Sequence, residues 1–356
     1  MRALCAPSVL TNGCGETPPV AITIVTYNSA RYIARCLEHV FAQNYPNFEV
    51  ILIDNASCDE SGSVLQQYAD RAKVICNSKN RGFAGGQNQA IDLSNSDWVL
   101  TLNPDVRLTP NFLSEAVKAA AEDPRVGMVS GKLLALGEDF EIPPQPEFDS
   151  TGIFFTPNLR HFDRGSKQRN QGQYEKDEYV FGVTGAAALY RRAMIEDVKC
   201  DGEFFDSDFF AYREDADVAW RAQWLGWRCR YTPRAVAYHV RSVLPANRRS
   251  VASDVNMHSV KNRFLMRIKN GTWMLYRRHG VAITARDLVV VAGCFLYELR
   301  SLRAFWLLLR CLPAARRKRH EIMSRRRSSE AYIVSWFSYD PVSFPVSRIA
   351  AEDELR

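Results

Sequence analysis

Along residues 20–125 the apolar positions alternate between two spacings. AITIVTYN (21–28), FEVILIDNAS (48–57), AKVICNS (72–78) and WVLTLNPD (98–105) are short β-branched and aliphatic runs that end in polar residues, as buried strands do. Between them, ARYIARCLEHVFAQ (30–43) carries Ile33, Leu37, Val40 and Phe41 at helical intervals, and SGSVLQQYAD (61–70) continues as a helix. GGQNQAIDLS (85–94) reads as a helix opened by glycines, and PNFLSEAVKAAAED (110–123) as one started by proline. This strand–helix order predicts a mostly parallel sheet covered by helices.

From 135 to 178 the periodicity gives way to Pro-, Gln- and Gly-containing segments, expected as loops over a site. Order returns at YVFGVTGAAALYRRAMIEDV, and WRCRYTPRAVAYHV (227–240) reads as two short strands around Pro233. No internal repeat is visible.

Ligands of open α/β sheets bind outside the carboxyl ends of the strands. Here those ends carry Thr26, Tyr27 and Asn28, then Asp54, Asn55 and Ser57, then Asn80 and Gly82, then Asn103 and Asp105. Turn chemistry accounts for Asn or Asp at any one strand end; four in succession point to a ligand. A second cluster lies in FFAYREDADVAWRAQWLGW (209–227), where Glu214, Asp215 and Asp217 follow an aromatic group at the head of a helix. Acids in a first turn complement the helix dipole, the commoner reason for such a pattern. A carboxylate beside Phe209, Phe210 and Tyr212 is also one whose desolvation can tune a base. These residues alone leave both readings open.

Composition bounds the choice. A chain of 356 residues with 46% hydrophobic and 24% charged content is not a disordered protein, and its length suits one large domain with an appendage, or two domains. Nine cysteines without a CxxC pair indicate neither a zinc site nor a disulfide framework, and suit a reducing cytosol. Residues 1–19 lack the apolar run of an export signal and read as a disordered leader. No unbroken apolar run reaches the roughly 18 residues of a membrane span. The longest candidate, LVVVAGCFLY (288–297), is cut off by Glu298, Arg300 and Arg303. Between Lys261 and Glu330 there are 17 Lys and Arg against 4 acids, so with a net charge of +6 overall the remainder carries about −7. Basic residues interleaved with apolar ones suit an anionic membrane face; nucleic acid is not expected as a partner.

The segments VTYN, IDNAS, NRGFAGGQNQA, TLNPD, TGAAALYRR, FFAYREDADVAWR, GW and AVAYH, in that order over residues 20–242, resemble the family 2 inverting glycosyltransferases of GT-A fold, especially their bacterial rhamnosyltransferase-like branch. The resemblance implies an α/β GT-A nucleotide-diphospho-sugar transferase fold, a Rossmann-like mostly parallel sheet flanked by helices. Residues 20–125 would be its nucleotide-binding half and 126–242 its acceptor-side half, followed by a basic helical C-terminal extension (243–356). It implies base and ribose contacts from Thr26, Tyr27, Asn28, Asp54 and Asn55, with Asn80 and Gly82 passing beneath the ribose and diphosphate and Asn88 reaching the sugar. Asn103 and Asp105 look like the family's DxD with Asn in the first place, so that Asp105, with His239, would hold Mg²⁺ or Mn²⁺ on the diphosphate. Asp215 maps onto the catalytic base and Glu214 onto an acceptor-side neighbour, while Asp217 and Arg221 form a helix-stabilising i,i+4 pair.

The implied reaction moves a hexose or 6-deoxyhexose from a dTDP- or UDP-sugar, foremost rhamnose from dTDP-rhamnose, to a lipid-linked or polysaccharide acceptor, with inversion. The implied place is the cytoplasm, with or without peripheral contact at the inner face of the membrane. In the extension, Arg263, Arg267, Lys269, Arg277 and Arg278 beside Leu265, Met266, Ile268, Trp273 and Leu275 suit an interfacial helix with a cationic rim; a basic helix packed back on the acidic domain is the alternative. Two rival functions remain. One is a non-catalytic nucleotide-sugar-binding relative; the other is a retaining glycoside hydrolase using Glu214 and Asp217.

Overall fold

The structure, a computed structural model, describes residues 17–241 and 253–337, and of residues 253–255 the backbone alone. The leader expected over 1–19 therefore falls almost entirely outside the described residues. The first half follows the predicted alternation: β1 (Val20–Thr26), α1 (Ala30–Phe41), β2 (Phe48–Asp54), α2 (Ser61–Gln66), β3 (Lys73–Cys76), α3 (Gly82–Asp92), β4 (Trp98–Leu102), β5 (Val106–Leu108) and α4 (Phe112–Ala121). β1 pairs in parallel with both β2 and β4, and β2 in parallel with β3. Every residue of β1 is buried because layers on both faces cover it, which is why its sequence runs apolar without alternating. Helix α1 lays Ile33, Cys36, Leu37 and Val40 on the sheet, the spacing read from the sequence.

The second half mixes strand directions. β6 (Val126–Ala135) is followed by β7 (Phe148–Ser150), β8 (Ile153–Phe155), β9 (His161–Asp163), β10 (Glu178–Val180), β11 (Ala187–Arg191), α5 (Arg192–Val198), α6 (Glu214–Trp224) and β12 (Arg228–His239). β11 runs antiparallel between β4 and β6, so the described strands form a mixed sheet in the order β10-β12-β6-β11-β4-β1-β2-β3. The segment 135–178, expected as loops, holds β7, β8 and β9; each is three residues long, too short for period-2 alternation to show. The two strands expected around Pro233 are one, β12, which pairs with β6 on both sides of the proline through a register shift between Tyr231 and Val236. A bulge accommodates a residue that cannot donate to the ladder.

Four helices close the described chain: α7 (Ser253–Asn270), α8 (Trp273–Tyr297), α9 (Arg303–Ser324) and α10 (Glu330–Ser335). The interfacial helix expected near 263–275 is corrected here, because Arg263, Leu265, Met266, Lys269 and Leu275 are buried. Lys269 donates to Asp206 (2.6 Å) and Asp217 (2.7 Å), and Lys318 of α9 to Asp206 (2.6 Å) and Asp208 (3.0 Å). Burial alone would raise the Asp206 carboxyl, but the two ammonium groups hold it well below the usual range. Trp336 and Phe337 return to pack on Phe155, Phe181 and Trp220. The helices are thus part of the folded body. Helix α8 has the length and composition of a membrane span, which no unbroken run indicated because Arg286 and Asp287 interrupt it.

Candidate active site

The acids of α6 enter on an unusual backbone. Phe210, Tyr212 and Arg213 all have positive φ (65°, 71° and 72°), a region that costs non-glycine residues about 1–3 kcal/mol each. The turn they make leads directly into α6, whose first residues are Glu214 and Asp215. Asn262 of α7 donates to the carbonyls of Phe209, Ala211 and Tyr212 and so supports that turn from outside. Gly82 packs beneath it: a Cβ there would lie 2.4 Å from the Phe210 oxygen.

Phe83, Asn103, Asp105, Thr184, Gly185, Glu214, Asp215 and His239 line a cleft of about 400 Å³ together with His161, Arg213, Arg241 and Ser259. Asp215 accepts from the Gly185 N–H (3.0 Å) and from the Ala216 N–H (2.7 Å), which fixes its carboxylate at the cleft wall. Burial raises its pKa against those two bonds. Glu214 is pushed up to about 8 by burial and then by the charge of Asp215, and its Oε2 is buried without a hydrogen-bond partner. Burial and the neighbouring charge both favour its protonated form.

In the same cleft, His239 Nε2 lies 3.4 Å from Asp105 Oδ1, while His239 Nδ1 is 2.9 Å from Asp149 Oδ2. Burial would lower the imidazole; the two carboxylates hold it up at about 10. Asp149 also accepts from Arg241 (2.7 Å), which reaches on to Asp163 (2.6 Å). Asp149, His161, Asp163, Arg213 and Arg241 were not singled out by the sequence. Arg241 could have been, since it stands two residues after His239. Asp149 and Asp163 gave no signal, lying on or at the end of three-residue strands in an aperiodic segment.

The residues expected to face a nucleotide form a separate group. Thr26 donates to Asp54 (3.3 Å), Asp54 accepts from the Ser57 N–H (3.2 Å), and Asn28 accepts from the Cys58 N–H (2.8 Å). Tyr27 is half exposed above them. Two residues are corrected. Asn55 is buried with its amide spent on Asn77, Asn80, Arg81 and Gly82, so it holds the β2 and α3 loops together instead of facing a ribose. Asn88 does not reach into the cleft: both ends of its amide bind the backbone of Phe205, at 2.6 and 2.9 Å. Asn80 caps the Gly82 N–H (2.8 Å), and Asn103 lines the cleft beside Asp105.

Asp217 behaves as expected of a structural residue: it is fully buried and bound by Arg221 (2.9 Å), Lys269 and Asn270. Among the described residues no group of three or more His, Cys, Asp or Glu could hold a metal unaided. Asp105 and His239 still fit a divalent cation that arrives with phosphate oxygens and displaces the proton that the imidazole holds between its two carboxylates. Asp149 occupies Nδ1 and leaves Nε2 turned toward Asp105, the arrangement of a carboxylate-oriented imidazole ligand.

Comparison with known proteins agrees with this geometry. Residues 21–199 match the model of the family described as glycosyl transferase family 2. That stretch holds Asp105; the place of Asp215 and His239 rests on the cleft itself. EpsH of Bacillus subtilis, named as a glycosyltransferase, is 25% identical over 56% of this chain and 56% of its own length. The N-acetylglucosaminyl-diphospho-decaprenol L-rhamnosyltransferase of Mycobacterium tuberculosis is 23% identical over 72% of this chain and 87% of its own. Among solved structures, the mannosyltransferase PcManGT of Pyrobaculum calidifontis, in complex with GDP-Man and Mn²⁺, superposes with a TM-score of 0.51 at 20% identity, over 90% of this chain and 86% of that one. TarS 1–349 of S. aureus does so at 0.52 and 17%, over 86% and 89%. These structures share the GT-A fold expected from the sequence. With half of its length matching the family's model, the chain belongs to glycosyl transferase family 2.

Proposed function

We propose that this protein transfers a sugar from a nucleotide-diphosphate donor to a hydroxyl of a cell-envelope polysaccharide precursor, inverting the anomeric carbon, with Asp215 as the base. The observation that carries this reading is that Asp215 and the Asp105–His239 pair line one and the same cleft. The acceptor hydroxyl loses its proton to Asp215 as its oxygen bonds to the anomeric carbon, while the bond from that carbon to the diphosphate oxygen breaks on the opposite side. The amides of Gly185 and Ala216 orient the carboxylate, and its burial keeps it more basic than a solvated aspartate. Glu214, protonated beside it, is a hydrogen-bond donor for the acceptor.

Asp105 and His239 would hold Mg²⁺ or Mn²⁺. Such a cation, when bound, neutralises the leaving diphosphate. Thr26, Tyr27, Asn28, Asp54, Asn80, Gly82 and Asn103 would frame the nucleotide at the strand ends. Rhamnose from dTDP-rhamnose is the donor best supported, through the Mycobacterium relative; a UDP-hexose is the alternative. The same relative's name supports a lipid-linked acceptor, and the free cysteines at the seven described positions suit the cytoplasm. The hydrolase reading loses its second acid, since no glycoside can reach Asp217. A panel of nucleotide sugars, scored for metal-dependent nucleotide release with and without lipid-linked acceptor, tests the proposal. Donor binding without any turnover across the panel would favour the non-catalytic relative.

A further inference from the structure

Helix α8 is bound to the protein along one side only. Leu275, Ile283 and Cys294 are buried, and Asp287 between them accepts from Arg263 (3.0 Å) and Arg267 (2.6 Å) of α7. The other side presents Trp273, Val281, Leu288, Val289, Phe295 and Leu296 to solvent, with Val281 89% and Leu296 72% exposed. Leu299, Trp306 and Leu309 continue that apolar surface onto the following turn and α9. Exposed arginines border it: Arg277 and Arg278 near the start of α8, then Arg300, Arg303, Arg310 and Arg316. A contiguous apolar face of this kind marks an interaction surface.

We propose that this face docks on an anionic bilayer, with α8 lying in the membrane plane and the arginines at the level of the phosphates. Apolar side chains flanked by cationic ones are the makeup of interfacial helices. The flanking charge argues against a second copy as occupant, because a symmetric dimer through this face would bring two arginine borders together. Spanning is opposed by the bound side: threading α8 through a bilayer would tear Asp287 from Arg263 and Arg267 and strip Leu275 and Ile283 from the core. The surface is independent of the donor and of the reaction assigned to the cleft.

The test uses the full chain and sedimentation with vesicles of phosphatidylglycerol and phosphatidylcholine, or of phosphatidylcholine alone. Wild type is expected to bind the anionic vesicles and to be released in part by high salt. Leu288→Glu/Phe295→Glu/Leu296→Glu should weaken binding at least tenfold, and Arg300→Ala/Arg303→Ala roughly thirtyfold. Both variants should keep the wild-type melting temperature and turnover on a soluble acceptor, since every changed side chain is exposed. The proposal is overturned if wild type ignores anionic vesicles, or if the triple variant binds them unchanged while converting a dimer to a monomer. Membrane-bound wild type that resists alkaline carbonate would equally overturn it, in favour of a span.

Discussion

The side-chain nitrogen of Asn262, on α7, lies 2.7 Å from the carbonyl oxygen of Tyr212, the residue two before Glu214. One side chain from the C-terminal helices thereby holds the positive-φ turn that delivers the candidate base. Asn262→Ala leaves the Tyr212, Ala211 and Phe209 carbonyls without that donor. The expected result is a loss of about 1–3 kcal/mol of stability, together with a lower kcat and nearly unchanged donor affinity. Melting curves, kcat and donor Kd on the same preparation check it; an unaltered kcat would show that the turn keeps its shape without the amide.

Asp215 and Asp217 sit two residues apart and should separate chemistry from stability. Asp215→Asn retains an oxygen for the Gly185 N–H but turns its NH2 on the Ala216 N–H and cannot take a proton, so kcat should fall by roughly 10²-fold or more with donor Kd little changed and stability lower by only about 1 kcal/mol. Asp217→Asn weakens the charge partner of two buried cations, Lys269 and Arg221, and should destabilise the fold by up to about 3–5 kcal/mol while the folded fraction stays active. A normal-rate Asp215→Asn enzyme would refute the base assignment.

Glu214 gives a pH signature. Its folded pKa of about 8 exceeds the ordinary value of 4.5, so the folded state binds the proton more tightly than the unfolded one. Stability from this group is complete below the ordinary value and is lost progressively as pH rises toward about 8. Glu214→Gln, neutral throughout, should therefore melt above wild type near pH 8 and level with it near pH 4. Parallel melting profiles across that window would mean that the carboxyl is not held protonated.

Elsewhere in the cleft, Asp105→Ala should abolish metal-dependent donor binding, whereas His239→Ala weakens it. Asp149→Ala should weaken metal-dependent binding about 10–100-fold by freeing the imidazole to rotate. Titration of donor binding with Mn²⁺, alongside melting temperatures, separates these effects from unfolding. Unchanged metal dependence in the Asp105 variant would remove the cation from this site.

The strands and helices up to α4 were legible because β1, β2 and β4 are buried on both faces and α1 on one, so burial wrote itself into spacing. That Asp105, Asp215 and His239 come together in one cleft was legible in so far as each stands at an element's end within a recognisable segment; their roles there are proposals. Asp149 and Asp163 were not, since strands of three residues carry no period and their partners, His239 and Arg241, are some 80 to 90 positions away. Asn55 and Asn88 misled for a related reason: an amide in a ligand-facing segment looks the same whether it meets a sugar or a backbone carbonyl. The basic stretch after Lys261 also divided in a way that composition could not show. Lys269 and Lys318 neutralise buried aspartates, while Arg300 and Arg303 face outward.

The return of Trp336 and Phe337 to Phe155, Phe181 and Trp220 bears on how the protein is made. Chains fold in units as they emerge during synthesis, N-terminal parts first. The parallel strands β1 to β4 can therefore assemble early, while the aromatic cluster and the Asn262 brace wait for segments synthesised last. A nascent chain would present the strand ends proposed to frame the nucleotide well before it has a stable candidate base beside them. Competence to bind the donor and competence to use it would be acquired at different times, which would keep an unfinished chain from spending activated sugar on water.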